Sequence, residues 1–305
     1  MKRKDILGIK DLTRAEINEI LSTADVMRDM IDRGEKSNAL RGKSVATLFC
    51  ESSVRTRISF ETAAKNLGAS VSDLPLAMPS VQNGESLIDA GMTLDALKTD
   101  VIVLRHSVAG SCKLLAENVN ASVINAGDGL NEHPSQALSD GLTARRHFGN
   151  VDGKRVVIVG DVKHSRVARS DAILFGMLGA KVTVCAPYSM LPCGIDGFGC
   201  DVETDFDKAI LGADIIVPLR VGRKSMDGAY FSAQEYDEYY GVTQKRLELC
   251  SDDCIVMHFG SLNRGSEIRG DVSGDRSSMI SEQVTNGVAV RMAMLDLLVN
   301  GDNKL

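Results

Sequence analysis

The chain has 305 residues and a formal net charge of −6, from 35 basic and 41 acidic side chains, with no basic tract. That balance argues against a nucleic-acid backbone as partner and favours a small ligand held by a few placed cations. No stretch approaches the roughly 18 apolar residues of a membrane-crossing helix, and the basic start MKRKDILGIKDL has no long apolar run behind it, so a soluble chain that is not exported is expected.

The seven cysteines, Cys50, Cys112, Cys185, Cys193, Cys200, Cys250 and Cys254, are odd in number and scattered, often inside apolar strands. They read as buried free thiols of a reducing cytoplasm. Cys193, Cys200, Cys250 and Cys254 include no CxxC pair and have irregular intervals, so no metal site is predicted.

The length suits two domains of about 150 residues each. Thr13-Arg14-Ala15-Glu16 has the form of a capping box, and Ile17, Ile20, Leu21, Ala24, Met27 and Ile31 follow on one helical face up to Gly34. Short apolar runs then alternate with helical spacing: strand 45–49, helix 54–67, strand 70–74, helix 85–97, strand 101–104, helix 110–118, strand 122–125 and helix 134–148. The turn-rich Gly149-Asn150-Val151-Asp152-Gly153 breaks the pattern. A second series follows it: strand 155–159, helix 165–178, strand 181–185, helix 205–211, strand 215–219, helix 232–239 and strand 255–259. A last helix over 278–299 is long enough, at about 1.5 Å per residue, to run back along the first domain. Such alternation predicts an α/β protein of two doubly wound parallel-sheet domains linked by helices, residues 1–150 with 278–305 in one and 151–277 in the other.

In open parallel sheets, ligands bind beyond the carboxyl ends of the strands. The most informative such place is SSVRTRISFE at 52–61, between the strand at 45–49 and the next helix. The first amides of a helix lack intrahelical partners and carry the positive end of its dipole, so Ser53, Thr56 and Arg55 would complete an anion cradle there. A plain capped helix start explains the Ser and Thr equally well, and one of the two arginines could simply pair with Glu61.

Other strand ends repeat the theme. Arg105 and His106 follow the strand at 101–104, and Asp128, Asn131, His133 and Gln136 follow that at 122–125. Arg166 lies in GDVKHSRVARS after 155–159, Arg220 follows 215–219, and His258, Asn263 and Arg264 lie at or after the end of 255–259. Each has a structural explanation when taken singly; their recurrence, with five cationic positions on one edge, is the signal. Only Gly160 of a GxGxxG fingerprint is present and no GxxxxGK[ST] occurs, so a dinucleotide or P-loop nucleotide is disfavoured and a small phosphorylated metabolite is favoured.

Taken in order, SSVRTRISFE, VQNGES at 81–86, VIVLRH at 101–106, GDGLNEHPSQAL at 127–138, GDVKHSRVARS at 160–170, YGVTQKRLEL at 240–249 and NGVAVRMAML at 286–295 resemble the aspartate/ornithine carbamoyltransferase family over nearly the whole chain, nearest to its aspartate-using catalytic chains. The resemblance implies carbamoyl transfer from carbamoyl phosphate to the amino group of aspartate, a step of pyrimidine biosynthesis. It implies a homotrimer with active sites between subunits, the first domain binding carbamoyl phosphate and the second the amino acid. It implies no metal or organic cofactor, and it leaves room for regulatory or partner chains.

Carried over by position, Ser53, Arg55, Thr56 and the Val54 amide would hold the phosphate. Thr56, Arg105 and His133 would face the carbamoyl oxygen, and Gln136 would orient the carbamoyl nitrogen. Arg166 and Arg220 would grip the acceptor's carboxylates. The turn containing Gly260 and Ser261 would line the carbamoyl and amino groups, and the loop with Asn83 would reach a neighbouring subunit's site.

The departures from the family fall in these same loops. Asn83 stands where the aspartate enzymes have a lysine, Val54 where a threonine is usual, Gly222 where a glutamine helps recognise the acceptor, and Phe259 and Ser261 where two prolines shape the turn. Three readings follow: an aspartate enzyme with unusual substitutions, a carbamoyltransferase for another amine, or a weakly active or non-catalytic homologue serving as an assembly partner.

Overall fold

The computed structural model describes residues 1–74, 86–221, 232–260, 267–270, 272 and 277–301. The chain divides into two compact units, Met1–Leu142 with Thr285–Leu305, and Thr143–Val284.

The first unit is built on a parallel sheet of four strands, β1 Ser44–Phe49, β2 Ser70–Leu74, β3 Val101–His106 and β4 Ser122–Asp128, in the order β2-β1-β3-β4. Its inner strands β1 and β3 read as near-continuous apolar runs because both faces are covered, whereas β2, SVSDL, is a half-exposed edge. Leu48, Leu94, Ile102, Leu104, Leu115 and Val123 form one apolar cluster in this unit. The helices of this part of the chain are α1 Arg14–Asp32, α2 Val54–Asn66, α3 Leu87–Ala96, α4 Ser111–Ala116 and α5 Pro134–Phe148. The predicted capping box opens α1: Glu16 N donates to Thr13 Oγ1 at 3.2 Å, and the Glu16 carboxylate accepts from Thr13 N at 2.8 Å.

The second unit has five parallel strands, β5 Arg155–Val159, β6 Lys181–Cys185, β7 Asp201–Glu203, β8 Ile215–Pro218 and β9 Ile255–Val256, in the order β7-β6-β5-β8-β9. Val157, Val159, Phe206, Ile216, Val256 and Ile268 share its core. The remaining helices are α6 Arg166–Met177, α7 Phe206–Ala209, α8 Ala233–Tyr240, α9 Gln244–Leu247 and α10 Ile280–Asn300.

From Thr285 onward α10 belongs to the first unit. There Arg28 donates to Asn286, Asn66 Nδ2 lies 3.9 Å from Met292 Sδ, and Asn300 Nδ2 donates to the Ala39 carbonyl at 3.1 Å. Among the described residues no helix is long and apolar enough to cross a membrane.

The structure corrects the sequence reading in five places. β7 and α9 were not anticipated, since β7 is three mostly polar residues and α9 a single turn. The helix expected at 205–211 contracts to α7, with Asp205 capping it through Lys208 N at 3.3 Å. The strand expected at 255–259 stops at Val256, because His258 N donates to the Gln283 side chain at 2.7 Å instead of to a neighbouring strand. Cys193 is exposed, so not every thiol is a core thiol. Finally, the cationic strand ends are divided between the edges of two sheets and do not share one.

Candidate active site

In the first sheet the strand order reverses between β1 and β3, the crevice where open parallel sheets bind ligands. Both edges of that crevice carry predicted residues. β1 runs through Cys50–Ser53 into α2, whose N-cap Ser53 makes no side-chain capping bond to the helix. Its hydroxyl donates instead to Thr56 Oγ1 at 2.9 Å. The capped-start explanation of Ser53 therefore fails, and the first-turn amides of α2 are not occupied by that side chain. A 13-residue helix thus presents the positive end of its dipole beside two paired hydroxyls.

The two arginines of SSVRTRISFE have different surroundings. Arg57 is the one that pairs internally: Nη1 donates to Asp73 Oδ2 at 2.8 Å, and Nε lies 3.8 Å from Glu61. Thr47 Oγ1 donates to the other Asp73 oxygen at 2.7 Å, so β1, β2 and the start of α2 are tied together. Arg55 is exposed at the same turn, as is Val54.

Across the crevice, Arg105 near the end of β3 is mostly buried, with 13% of its side chain exposed. Its Nη1 donates to the Ala126 carbonyl of β4 at 3.1 Å and its Nη2 lies 3.5 Å from Glu51. The guanidinium is thereby fixed across three strand ends. His106, by contrast, serves its own turn: Nδ1 accepts from Val108 N at 3.0 Å and lies 2.8 Å from Ser111 Oγ.

Beyond β4 the polar cluster separates in the same way. Asp128 is buried and accepts from Gly110 N at 2.7 Å, Asn125 Nδ2 at 2.7 Å and Asn131 Nδ2 at 3.2 Å, so Asp128 and Asn131 hold the loop together. Glu132, which sequence reasoning passed over, is fully buried and anchors the N-terminal segment by accepting from Ile9 N. These contacts fix the backbone on which His133 sits. His133 is buried, its Nδ1 lies 3.5 Å from Ser135 Oγ, and its carbonyl accepts from Gln136 N at 3.0 Å as α5 begins at Pro134. Gln136, one turn into α5, donates from Nε2 to Asp140 Oδ1 at 2.9 Å.

In the second sheet the order reverses between β5 and β8, and the predicted Arg166 and Arg220 follow those two strands. Gly160, at φ +131°, ends β5: a side chain there would meet Leu219 Cβ at 2.9 Å and the Tyr236 hydroxyl at 3.1 Å. This is why GDVKHSRVARS begins with glycine although no dinucleotide fingerprint follows. Asp161 is buried and accepts from His164 N at 3.2 Å, and Ser165 Oγ accepts from Ala168 N at 3.1 Å, starting α6 with the half-buried Arg166 as its first residue. Arg220 is exposed just past β8.

The 258–260 turn closes on its own imidazole. His258 Nδ1 lies 3.0 Å from the Gly260 carbonyl and 3.2 Å from Gly260 N, its Nε2 lies 3.6 Å from Glu267, and the Phe259 ring stacks on it at 5.3 Å and 7°. Asn83, Gly222, Ser261, Asn263 and Arg264 lie outside the described residues.

Sequence profiles of one family match almost the whole chain. The profile for the aspartate/ornithine carbamoyltransferase carbamoyl-P binding domain matches residues 4–146, and that for the Asp/Orn binding domain matches 152–298. The aspartate carbamoyltransferase catalytic subunit of Acetivibrio thermocellus is 47% identical over 305 residues, covering 99% of this chain and 98% of its own. That of Caldanaerobacter subterraneus is 46% identical over 304 residues, covering 99% and 100%.

Among solved structures, aspartate transcarbamoylase from Trypanosoma cruzi in complex with N-(phosphonacetyl)-L-aspartic acid superposes with a TM-score of 0.86 at 30% identity, over 96% of this chain and 95% of that one. Ornithine carbamoyltransferase from Thermus thermophilus, at 24% identity and a TM-score of 0.87 over 98% and 100% of the two chains, shares the fold. Full-length relatives at these identities, together with two family profiles in order, establish that the chain belongs to the aspartate/ornithine carbamoyltransferase family.

Proposed function

We propose that the chain transfers the carbamoyl group of carbamoyl phosphate to the amino group of aspartate, giving N-carbamoyl-aspartate and phosphate for pyrimidine synthesis in the cytoplasm. The observation that carries this reading is the β1/β3 switch point, where the uncapped start of α2, the Ser53–Thr56 hydroxyl pair and the braced Arg105 stand at one sheet edge. Such a set suits a phosphate attached to a polarisable carbonyl. The T. cruzi enzyme has been solved with carbamoyl phosphate and aspartate together, which supports the same pair of substrates here.

In this reading Ser53, the Val54 amide, Arg55 and Thr56 bind the phosphate. Thr56, Arg105 and His133 donate to the carbamoyl oxygen as the uncharged amine attacks the carbon, Gln136 receives the carbamoyl amino group, and the departing phosphate accepts the proton. Arg166 and Arg220 bind the acceptor carboxylates, and Gly260 and Ser261 line the reacting groups. Residues 1–150 with 278–305 serve carbamoyl phosphate, and 151–277 serve the amino acid. The functional molecule is a homotrimer whose sites are shared between subunits, with Asn83 contributed by a neighbour.

A second reading, transfer to a different amine, is favoured by Gly222 and Phe259, which replace the family's glutamine and first proline at acceptor-facing positions. Phosphate release measured on the pure protein with carbamoyl phosphate and a panel of amino acids tests both. Turnover with aspartate is expected. Turnover only with another amine selects the second reading, and absence of both turnover and carbamoyl phosphate binding at millimolar concentration overturns the two together.

A further inference from the structure

The NGVAVRMAML stretch of α10 carries a buried cation that the transfer reaction does not itself use. Arg291 is 4% exposed, its guanidinium lies 5.1 Å from the centroid of the buried Phe60 ring on α2, and it is placed there by the absence of a side chain at Gly287. A Cβ at Gly287 would stand 2.5 Å from Arg291 Nη1. Burial lowers the Arg291 pKa to about 10, and the charge that opposes this shift is the carboxylate of Asp140. Asp140 has no exposed surface, and a carboxylate so deeply placed requires cationic or donor compensation.

Asp140 faces Gln136 one turn back along α5, the i,i+4 spacing that brings side chains together. Gln136 Nε2 donates to Asp140 Oδ1 at 2.9 Å. A carboxylate only accepts, so this bond fixes which way round the Gln136 amide lies: its nitrogen is committed to Asp140, and Oε1 is left to accept from a ligand.

We propose that Asp140 is a positioning residue that holds the Gln136 carboxamide in one orientation, so that the protein selects an acyl phosphate whose carbonyl bears N–H donors. This rests on the carbamoyl phosphate reading above and deepens it. A carbamoyl group presents an amino group to Gln136 Oε1, whereas an acetyl group of nearly the same shape presents a methyl. Without the carboxylate, the amide can turn and offer its own donors, and the distinction is lost.

The test is the ratio of affinities for carbamoyl phosphate and acetyl phosphate, measured by calorimetry on the whole protein, with transcarbamoylation followed in parallel. Asp140→Asn, whose side chain donates as well as accepts, is expected to reduce the wild-type preference for carbamoyl phosphate by about fivefold, the worth of one ordinary hydrogen bond, with phosphate affinity unchanged. Asp140→Ser, which removes the carboxylate with a smaller neutral side chain, is expected to reduce the ratio in the same direction, which keeps the test decisive if Asp140→Asn does not fold. A generally loosened structure would instead weaken both acyl phosphates and phosphate alike, and that result overturns the inference. So does an unchanged ratio in a folded variant, or a wild type that transfers carbamoyl groups without preferring carbamoyl phosphate to acetyl phosphate. A wild type that binds neither compound and transfers nothing overturns the parent reading, and this inference with it.

Discussion

Arg105 and Arg57 show how a residue's role depends on what reaches it. Both follow or flank a strand end, and in the sequence they look alike. Arg57 is consumed by Asp73 and Glu61, while Arg105 is braced by the Ala126 carbonyl and Glu51 at the strand-order reversal. Arg105→Ala is expected to lower kcat for carbamoylation by at least about 100-fold, the usual cost of one transition-state donor, with the folded state retained by circular dichroism. Asn83→Lys, which restores the family's cation, is expected to raise aspartate carbamoylation by about the same factor in a steady-state assay. Asp128 is the converse case. Its position at the end of β4 suggested a ligand contact, but its oxygens are engaged with Gly110, Asn125 and Asn131, because a buried carboxylate needs donors and its neighbours supply them.

At the scale of elements, helix starts were the most legible features. The Thr13 capping box is a local pattern that four consecutive residues can satisfy alone, and the structure adds one of the same form at Ser86, opening α3. Glu16 also accepts from Arg3 Nε at 3.0 Å, and this arginine is the main reason its pKa falls to about 2. A carboxylate with a depressed folded pKa stabilises the protein above its unfolded pKa, and that contribution is lost as pH falls through the folded value. Glu16→Gln is therefore expected to lower Tm near neutral pH, with the difference closing between about pH 4.5 and pH 2 in thermal melts. Gly160 is set by a neighbour distant in sequence. Gly160→Ala is expected to cost about 1–3 kcal/mol in denaturant titration, from its left-handed φ and the contact with Leu219. The elements that escaped sequence reading, β7 and α9, are short and carry too few residues to show a period.

For the whole molecule, each unit is an open parallel sheet with its own switch point, and each switch point carries predicted cations: Arg55 and Arg105 in one, Arg166 and Arg220 in the other. The homotrimer proposal makes a direct prediction: sedimentation equilibrium should return three times the 32.8 kDa mass of the chain. If sites are shared, mixing inactive His133→Ala subunits with subunits inactivated by substitution at Asn83 should restore part of the activity after dissociation and reassembly. No recovery, with mixed trimers demonstrated, would place every site within one subunit.

The sequence by itself determined the alternation of strands and helices, the parallel sheets and the family, because hydrophobic periodicity, caps and motif order are properties of residues close along the chain. Only the tertiary structure decided which of the polar residues at the strand ends serve a ligand and which serve the fold. Ser53 turns to Thr56 instead of capping α2, Arg57 and His106 are taken up locally, and Gln136 is oriented by the buried carboxylate of Asp140. Some of those choices are made by neighbours a few residues away, as at Ser53, His106 and Gln136, and others by another element, as Asp73 does for Arg57; burial obliges each polar group to be satisfied, and the sequence supplies the candidate partners without choosing among them.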